Sequence, residues 1–393
     1  VTPRDVVVVG GGPAGSATAI LLKQRGHDVV LLDEARFPRD KVCGEGVSPE
    51  AWRLLGALGA TAAVKALDPW PLRGMQLTSP SGISFAGHYR GSAEPGFAVR
   101  RQVLDAALLD VARRAGVEVR EATHVTDLLV RNGRVAGVRC QDAPEVAARL
   151  VVGADGRRSV VARRLGLLRE HPSLHKFAVR GYWEGVAGLQ QHGEMHVGGG
   201  GYCGIAPLSA TRANVAFVLD RERMNGAAGD LESFYRRSLA AWPALAERLQ
   251  AATLLEAPKA IGPLALEARR ISGPGALLVG DSAGFYDPFT GEGVTLALRS
   301  AELAVPVADA ALRSGQLDDL ADYDRARHAA TRDKFRLNRL LQRTVAWPAL
   351  ADAVARRLRR RADLADRLVG IAGDFVPART ALDLRFAWDL LRA

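Results

Sequence analysis

The N-terminal stretch Asp5-Val6-Val7-Val8-Val9-Gly10-Gly11-Gly12-Pro13-Ala14-Gly15 places four consecutive valines directly before a glycine turn. An unbroken apolar run of this kind reads as a strand buried on both faces, the habit of parallel sheets. The Ala/Leu-rich segment that follows, to about Arg25, reads as a helix, and Gly26-His27-Asp28 turns the chain. Val29-Val30-Leu31-Leu32 is a second buried strand, ending at Asp33-Glu34. Strand, glycine turn, helix, strand and terminal acid make one βαβ unit. The spacing Gly10-x-Gly12-x-x-Gly15 has a mechanical reason. Gly10 permits the tight turn, Gly12 lets the backbone approach a pyrophosphate, and Gly15 lets helix pack closely on strand. Pro13 and Ala14 open the helix, whose N-terminal amides and dipole favour an anion. Asp33 would accept hydrogen bonds from ribose hydroxyls; Glu34 is the competing carboxylate, and the strand end favours Asp33.

Further along, residues 102–115 form a strong helical pattern capped by Gly116. Residues 117–119, 125–130 and 135–140 read as strands, with Asn132-Gly133 a hairpin turn between the last two. Residues 150–152 are a buried strand before Gly153-Ala154-Asp155-Gly156. From about 176 to 220 the texture changes to strands with glycine-rich connections, at 177–183, 194–197, 202–206 and 214–219. Residues 276–279 return to a buried strand that delivers Asp281, and a helix opens at about Gly293. The expected fold is α/β: a Rossmann-type dinucleotide-binding domain over 1–175 and 258–335, with an inserted β-sheet substrate domain over 176–257. The 70–100 segment contributes to the substrate side, and a helical C-terminal tail covers 336–393.

Composition narrows the class. The chain has 393 residues, 48% hydrophobic and 24% charged, which excludes a disordered chain. No apolar run is long enough to span a membrane, and the opening residues run straight into a strand, so no signal peptide is expected. Cys43, Cys140 and Cys203 are too few and too scattered for a disulfide framework, which fits a reducing cytoplasm. The net charge is +10, with only six lysines. The basic run Arg356-Arg357-Leu358-Arg359-Arg360-Arg361 reads as the solvated face of a helix, because 353–368 carries apolar residues at helical spacing. No nucleic-acid partner is expected, peripheral membrane contact is left open, and the chain is a monomer or homodimer. The histidines lack metal-ligand spacing, so no metal is expected.

Together these motifs resemble the FAD-dependent oxidoreductases built like para-hydroxybenzoate hydroxylase, and among them the geranylgeranyl-reductase-type branch. The resemblance rests on the first glycine motif, Phe37-Pro38-Arg39-Asp40-Lys41-Val42-Cys43-Gly44-Glu45-Gly46, Arg101-Gln102-Val103-Leu104-Asp105, Gly153-Ala154-Asp155-Gly156-Arg157-Arg158-Ser159, and Gly280-Asp281 through Asp287-Pro288-Phe289-Thr290-Gly291-Glu292-Gly293. It implies non-covalent FAD, with NAD(P)H as electron donor. By that resemblance Arg101, rather than its neighbour Arg100, contacts the phosphate–ribityl region. Val125 meets the adenine through its backbone, and Asp281 binds the ribityl chain. Gly291, Gly293 and Val294 lie at the flavin ring. Asp155-Gly156 is either an FAD and NAD(P)H motif or a structural turn. Cys43 and Gly44 fall in the loop beside the ring, Cys43 being either a thiol that lines the cavity or a small packed residue.

The substrate wall is expected to draw on Tyr182, Trp183, Tyr202, Cys203, Pro207 and Leu208, with Phe285, Tyr286 and Phe289 near the flavin. Cys43, Tyr202 and Phe289 are the candidate pocket residues. Halogenases of this superfamily carry Trp-x-Trp-x-Ile-Pro, and prenyl reductases Tyr-x-Trp-x-Phe-Pro. The chain has Tyr202-Cys203-Gly204-Ile205-Ala206-Pro207, without the tryptophan. The expected function is a flavin monooxygenase of secondary metabolism. It would hydroxylate an aromatic, polyketide-like or other apolar small molecule through a flavin hydroperoxide. The alternatives are a reductase of isoprenoid double bonds, a halogenase, and a non-catalytic dinucleotide-binding protein.

Overall fold

The computed structural model describes residues 3–171, 174–227, 229–268, 270–285 and 287–392; Tyr286 lies outside them. Val6 to Val9 form the middle of a parallel sheet, at most 5% exposed, because layers cover both faces. Strand Arg4–Val9 pairs in parallel with Val29–Leu32 on one side and Ala143–Gly153 on the other. Glu118–Arg120 and Ala276–Leu278 extend the sheet in parallel outward. The C-terminal ends of these strands therefore deliver Gly10, Asp33, Ala154 and Gly280 to one edge, where α/β folds of this type bind ligands. Helices Pro13–Gln24, Arg101–Arg114 and Gly293–Ser314 pack together beside the sheet. The strand expected at 150–152 begins at residue 143. Its first half, Ala-Pro-Glu-Val-Ala-Ala-Arg, has one β-branched residue among weak strand formers, and pairs with Arg134–Cys140.

A second sheet runs in the order Thr253–Leu254, Lys176–Glu184, Arg212–Asp220, Gly201–Pro207, His192–Gly198, Gly74–Thr78, Ser84–His88. It thus takes in two strands from the 70–100 segment, and it passes residue 257, since Lys259–Ile261 also pairs with Lys176–Glu184. Its two faces differ, because strand side chains alternate. Val179, Trp183, Cys203, Ile205, Val215 and Phe217 pack beneath helices Leu231–Leu239 and Pro243–Leu249, against Tyr235 and Trp242. Ala178, Met195, Tyr202 and Val218 pack on the opposite side with Phe289. Trp183 and Cys203 were expected in the cavity wall. The period of two sends them to the far face instead, and burial pushes the Cys203 thiol far up from its ordinary pKa.

The C-terminal helices Pro348–Arg360 and Ala362–Ala372 close over the edge strand Ser84–His88, and Ala321–Ala346 packs on the first of them. Contact is tight: a Cβ at Gly87 would lie 2.5 Å from the Ala365 carbonyl oxygen. Covering the edge hides backbone groups that would otherwise pair with other chains. The basic run sits on Pro348–Arg360 as its composition suggests, with Ala351, Ala355 and Leu358 buried and Arg356, Arg359 and Arg360 exposed.

Candidate active site

Three glycine turns meet at the sheet's C-terminal edge. Ala154 N donates to Val9 O (2.7 Å) and Val279 N to Gly153 O (2.9 Å). A Cβ at Gly280 would come within 2.7 Å of Ala14 Cβ. Gly10 has φ +103°, and Gly15 faces the Gly10 carbonyl so closely that a Cβ would lie 1.8 Å from its oxygen. Gly12 is different. Its backbone is extended, and an added Cβ would meet only Arg39 Nη2 at 3.4 Å and Arg101 Nη2 at 4.0 Å. Pro13 and Ala14 begin the helix directly behind it. A hollow between a helix N-terminus and two guanidiniums suits a pyrophosphate.

The cations there are held in place. Arg101 makes two 2.7 Å hydrogen bonds to the fully buried Asp105. Arg39 Nη1 sits 3.0 Å from the same carboxylate, yet is buried without a hydrogen bond. Burial lowers the Lys41 pKa, and Asp281 opposes that shift while Arg101 and Arg39 add to it. Arg157 is likewise lowered by burial and faces Asp281. Arg39, Lys41, Asp105 and Arg157 lay within the quoted motifs but drew no role in the sequence reading; their clustered charge is the signal that marks them. These residues fit the phosphate and sugar portions of FAD: Arg39 Nη1 is buried without a hydrogen bond, beside a space that only a glycine leaves open.

Asp33 is largely committed to the turn itself, accepting from Gly11 N at 2.6 Å and Ala35 N at 2.8 Å. One lone pair on each oxygen is left for a ribose hydroxyl. Glu34 points outward to His124 (3.1 Å), with its side chain 72% exposed. Asp155 accepts from Ser159 Oγ (2.6 Å) and Val160 N (2.7 Å), so its carboxylate caps the next helix. Gly156 N donates to Ser282 Oγ (3.1 Å), joining that turn to the one that carries Asp281. Val125 starts its strand, buried.

Around the loop beside Gly44, which is exposed with open space at its Cα, the chemistry is polar. The Cys43 carbonyl accepts from Asn214 Nδ2 (2.8 Å), and the Cys43 thiol faces Arg101. Glu45 is 1% exposed at φ +63°, a costly backbone for a non-glycine residue. Its Oε1 accepts from Arg101 N (3.0 Å) and from the Tyr182 hydroxyl. Its Oε2 and Asn214 Oδ1 are both buried without a partner. Burial raises the Glu45 pKa. Neither Glu45 nor Asn214 was a predicted site residue; the positive φ and the two spare acceptors are visible only in three dimensions.

Tyr202 and Phe289 do meet, ring centroids 5.1 Å apart and edge to face. Asp287 ties them down. It accepts from the Tyr202 hydroxyl (2.7 Å), Gln342 Nε2 (2.8 Å) and Phe289 N (2.9 Å), and pairs with Lys176 (3.1 Å). Cys43 stands apart from this pair. It contacts Asn214, while Tyr202 pairs with Val218, four residues along the same strand, about 13 Å away. Between them Gly204 and Ala216 are the partly exposed residues in the interiors of these two strands, on the same face as Tyr202 and Val218. Gly291 adopts the left-handed conformation, and Gly293 and the buried Val294 begin the Gly293–Ser314 helix.

Glu292 lies at that helix start, 5% exposed, facing Lys334 (2.8 Å), which also pairs with Asp374 (2.6 Å), and Tyr89. Burial pushes Glu292 up to about 7; Lys334 opposes this and Asp374 adds to it. An unfolded glutamate titrates at about 4.3. The native state therefore holds the proton more tightly across that interval, and its stability falls as pH rises from about 4.3 to 7. In Glu292→Gln this component should vanish. The expected result is a Tm difference, wild type minus variant, that shrinks steadily across the window in calorimetry; a constant difference would refute it.

The chain matches the FAD binding domain family over residues 4–337. It is 32% identical over 321 residues to menaquinone reductase of Mycolicibacterium smegmatis, covering 77% of this chain and 76% of that protein. It is 30% identical over 327 residues to digeranylgeranylglycerophospholipid reductase of Methanosarcina acetivorans, covering 80% and 77%. The structure of a flavoprotein/dehydrogenase from Cytophaga hutchinsonii superposes with a TM-score of 0.83 at 22% identity, over 95% of this chain and 93% of that one, a likeness in fold. Glycine hollow, caged guanidiniums and family match agree: the chain belongs to the FAD-dependent oxidoreductases of the para-hydroxybenzoate hydroxylase superfamily, in the branch of the geranylgeranyl-type reductases.

Proposed function

We propose that this enzyme reduces a carbon–carbon double bond in an apolar, isoprenoid-type substrate. The observation that carries the reading is the partly exposed small pair Gly204 and Ala216, on the sheet face where Ala178, Met195, Tyr202, Val218 and Phe289 cluster. An apolar wall of this kind takes up a hydrocarbon body and excludes water. Its polar end, Glu45 with Asn214, suits a hydroxyl or carbonyl head group. The relatives named for menaquinone and for a digeranylgeranyl lipid support the same substrate class.

FAD, bound without a covalent link, supplies the two-electron chemistry. Gly12, Arg39 and Arg101 would hold its pyrophosphate, with the Pro13–Gln24 helix start behind them. Asp33 would hold the ribose, Asp281 the ribityl chain, and the Gly291–Val294 amides the ring, where their dipole favours negative charge. Asp105 keeps the guanidiniums oriented. Glu45, whose pKa burial raises, stands with Asn214 at the polar end of the proposed pocket as the group to give or take a proton. NAD(P)H is the proposed electron donor.

Hydroxylation of an apolar ring is the second reading, favoured by the small residues Gly204 and Ala216, which leave room for a flat body. One assay separates the two. The yellow enzyme, whose flavin should be released by acid precipitation, is given NADPH or chemical reductant and a menaquinone or geranylgeranyl lipid, with and without oxygen. Product that has gained two hydrogen atoms across a side-chain double bond anaerobically, and keeps them after air reoxidises any quinol, supports reduction. Product that has gained one oxygen atom, formed in air alone, supports hydroxylation.

Pocket substitutions give a further expectation. Phe289→Ala removes the ring that seals Tyr202 and should lower turnover, or uncouple NAD(P)H oxidation from product, by about tenfold. The flavin spectrum should stay close to wild type, since the lost contact is on the substrate side. Tyr202→Ala should behave alike, whereas Cys43→Ser should keep turnover if Cys43 only packs. Wild-type turnover and coupling in all three variants would put the pocket elsewhere.

A further inference from the structure

Nine large hydrophobic residues are exposed among the described residues, and six of them lie at or beyond Leu340: Leu340, Trp347, Leu350, Leu382, Leu384 and Trp388. Leu384 is 86% and Trp347 70% exposed. They sit on helices Ala321–Ala346, Pro348–Arg360 and Leu384–Leu391 and the segments joining them, and these helices pack on one another. Between the first two helices Ala346, Trp347, Pro348, Ala349 and Leu350 are all exposed, an apolar knuckle with no polar residue in it.

The charge around this surface is one-sided. Residues 336–393 hold twelve arginines, six aspartates, and neither lysine nor glutamate, a net +6 out of the chain's +10. Arg336, Arg339, Leu340, Arg343 and Trp347 follow helical spacing and are all exposed, so cations and apolar residues share one stripe of the Ala321–Ala346 helix and its end. Near the chain's end the Arg392 guanidinium lies 4.2 Å from the Trp388 ring centroid.

We propose that this face docks on an anionic lipid bilayer, with Trp347, Leu350, Leu384 and Trp388 entering the interface and the arginines on the head groups. The mixture selects this occupant. A second copy meeting this face symmetrically would set its net positive charge against itself, whereas an anionic bilayer offsets the charge of the whole stripe. Nucleic acid would use the arginines and leave protruding Leu384 and Trp347 without a partner. A membrane interface satisfies both, with tryptophan at head-group depth and arginine stems lying along apolar surface. The opposite side of the same long helix carries Leu341 and Val345, which pack on Tyr202 and Phe289. One helix therefore links the outer surface to the wall proposed for the substrate, although the docking itself does not depend on which reaction occurs there.

The test is cosedimentation of the FAD-loaded protein with vesicles of phosphatidylcholine alone or mixed with phosphatidylglycerol, with tryptophan emission as a second signal. Binding should require phosphatidylglycerol, weaken with salt, and shift the emission to the blue. Trp347→Ser/Leu384→Ser/Trp388→Ser and, separately, Arg339→Glu/Arg343→Glu should each lower partitioning by about tenfold or more, with flavin spectrum and Tm unchanged because all five side chains are exposed. Equal sedimentation of wild type and the triple variant would overturn the proposal. So would a wild-type dimer, seen by light scattering, that ignores vesicles and falls apart in the triple variant, since a second copy would then be the occupant.

Discussion

Gly12→Val is expected to give a folded, soluble and colourless protein. The residue has φ −72° and ψ −176°, an extended backbone that valine adopts without strain. An added Cβ meets no backbone and no packed side chain, only the ends of Arg39 and Arg101. The branched side chain instead fills the hollow those guanidiniums share and keeps the pyrophosphate away from them. Charge-assisted hydrogen bonds are worth about 1.5–3 kcal/mol each, so losing one or two should weaken FAD binding about a hundredfold or more. Fluorescence titration of the apoprotein reads the affinity, and circular dichroism reads the fold. Normal flavin occupancy would count against the placement of the phosphates.

Gly15→Ala should fail in the opposite way, through the fold. Its Cβ would lie 1.8 Å from the Gly10 carbonyl oxygen and 3.1 Å from Ala154 Cβ. The Gly10 carbonyl is buried backbone, so relief requires the Pro13–Gln24 helix to move off the sheet. Gly10 cannot retreat, because its own Cα already faces the Ala154 carbonyl. Overpacking of this kind costs about 3 kcal/mol or more, and the helix start it displaces is the phosphate site. The variant should express poorly or melt well below wild type, and excess FAD should recover only part of the loss. A wild-type Tm would show that the helix and strand are less closely packed than the structure indicates. Two glycines three residues apart thus separate cofactor room from packing room.

Much of the cofactor half was legible because its signals are local. Four valines, a glycine spacing and an acid at a strand end each constrain the backbone within a few residues, and the parallel sheet, the helix at Pro13 and the turns at Ala154 and Gly280 follow from them. The residues around those turns were harder to assign. Asp33 proves to brace Gly11 and Asp155 to cap a helix, roles set by which amide happens to be within reach. Arg101 and Asp105 pair at helical spacing, but Arg39 joins them from a segment more than 60 residues away, a juxtaposition that no spacing encodes.

The substrate half was less legible for a physical reason. An antiparallel sheet reads as alternating residues, yet alternation does not say which set faces the cofactor until another layer covers the other set. Helices Leu231–Leu239 and Pro243–Leu249 make that choice, taking Trp183 and Cys203 and leaving Tyr202, Gly204 and Ala216 on the open side. The same holds for Glu45, whose buried carboxyl depends on Tyr182 and Arg101, and for the tail, whose apolar residues divide between the edge strand and solvent only once the helices are packed. Local backbone demands, written in glycines, valines and one strand-end acid, determined the FAD-binding framework from the sequence alone. Burial, partner and face are long-range properties, and only the tertiary structure decided them.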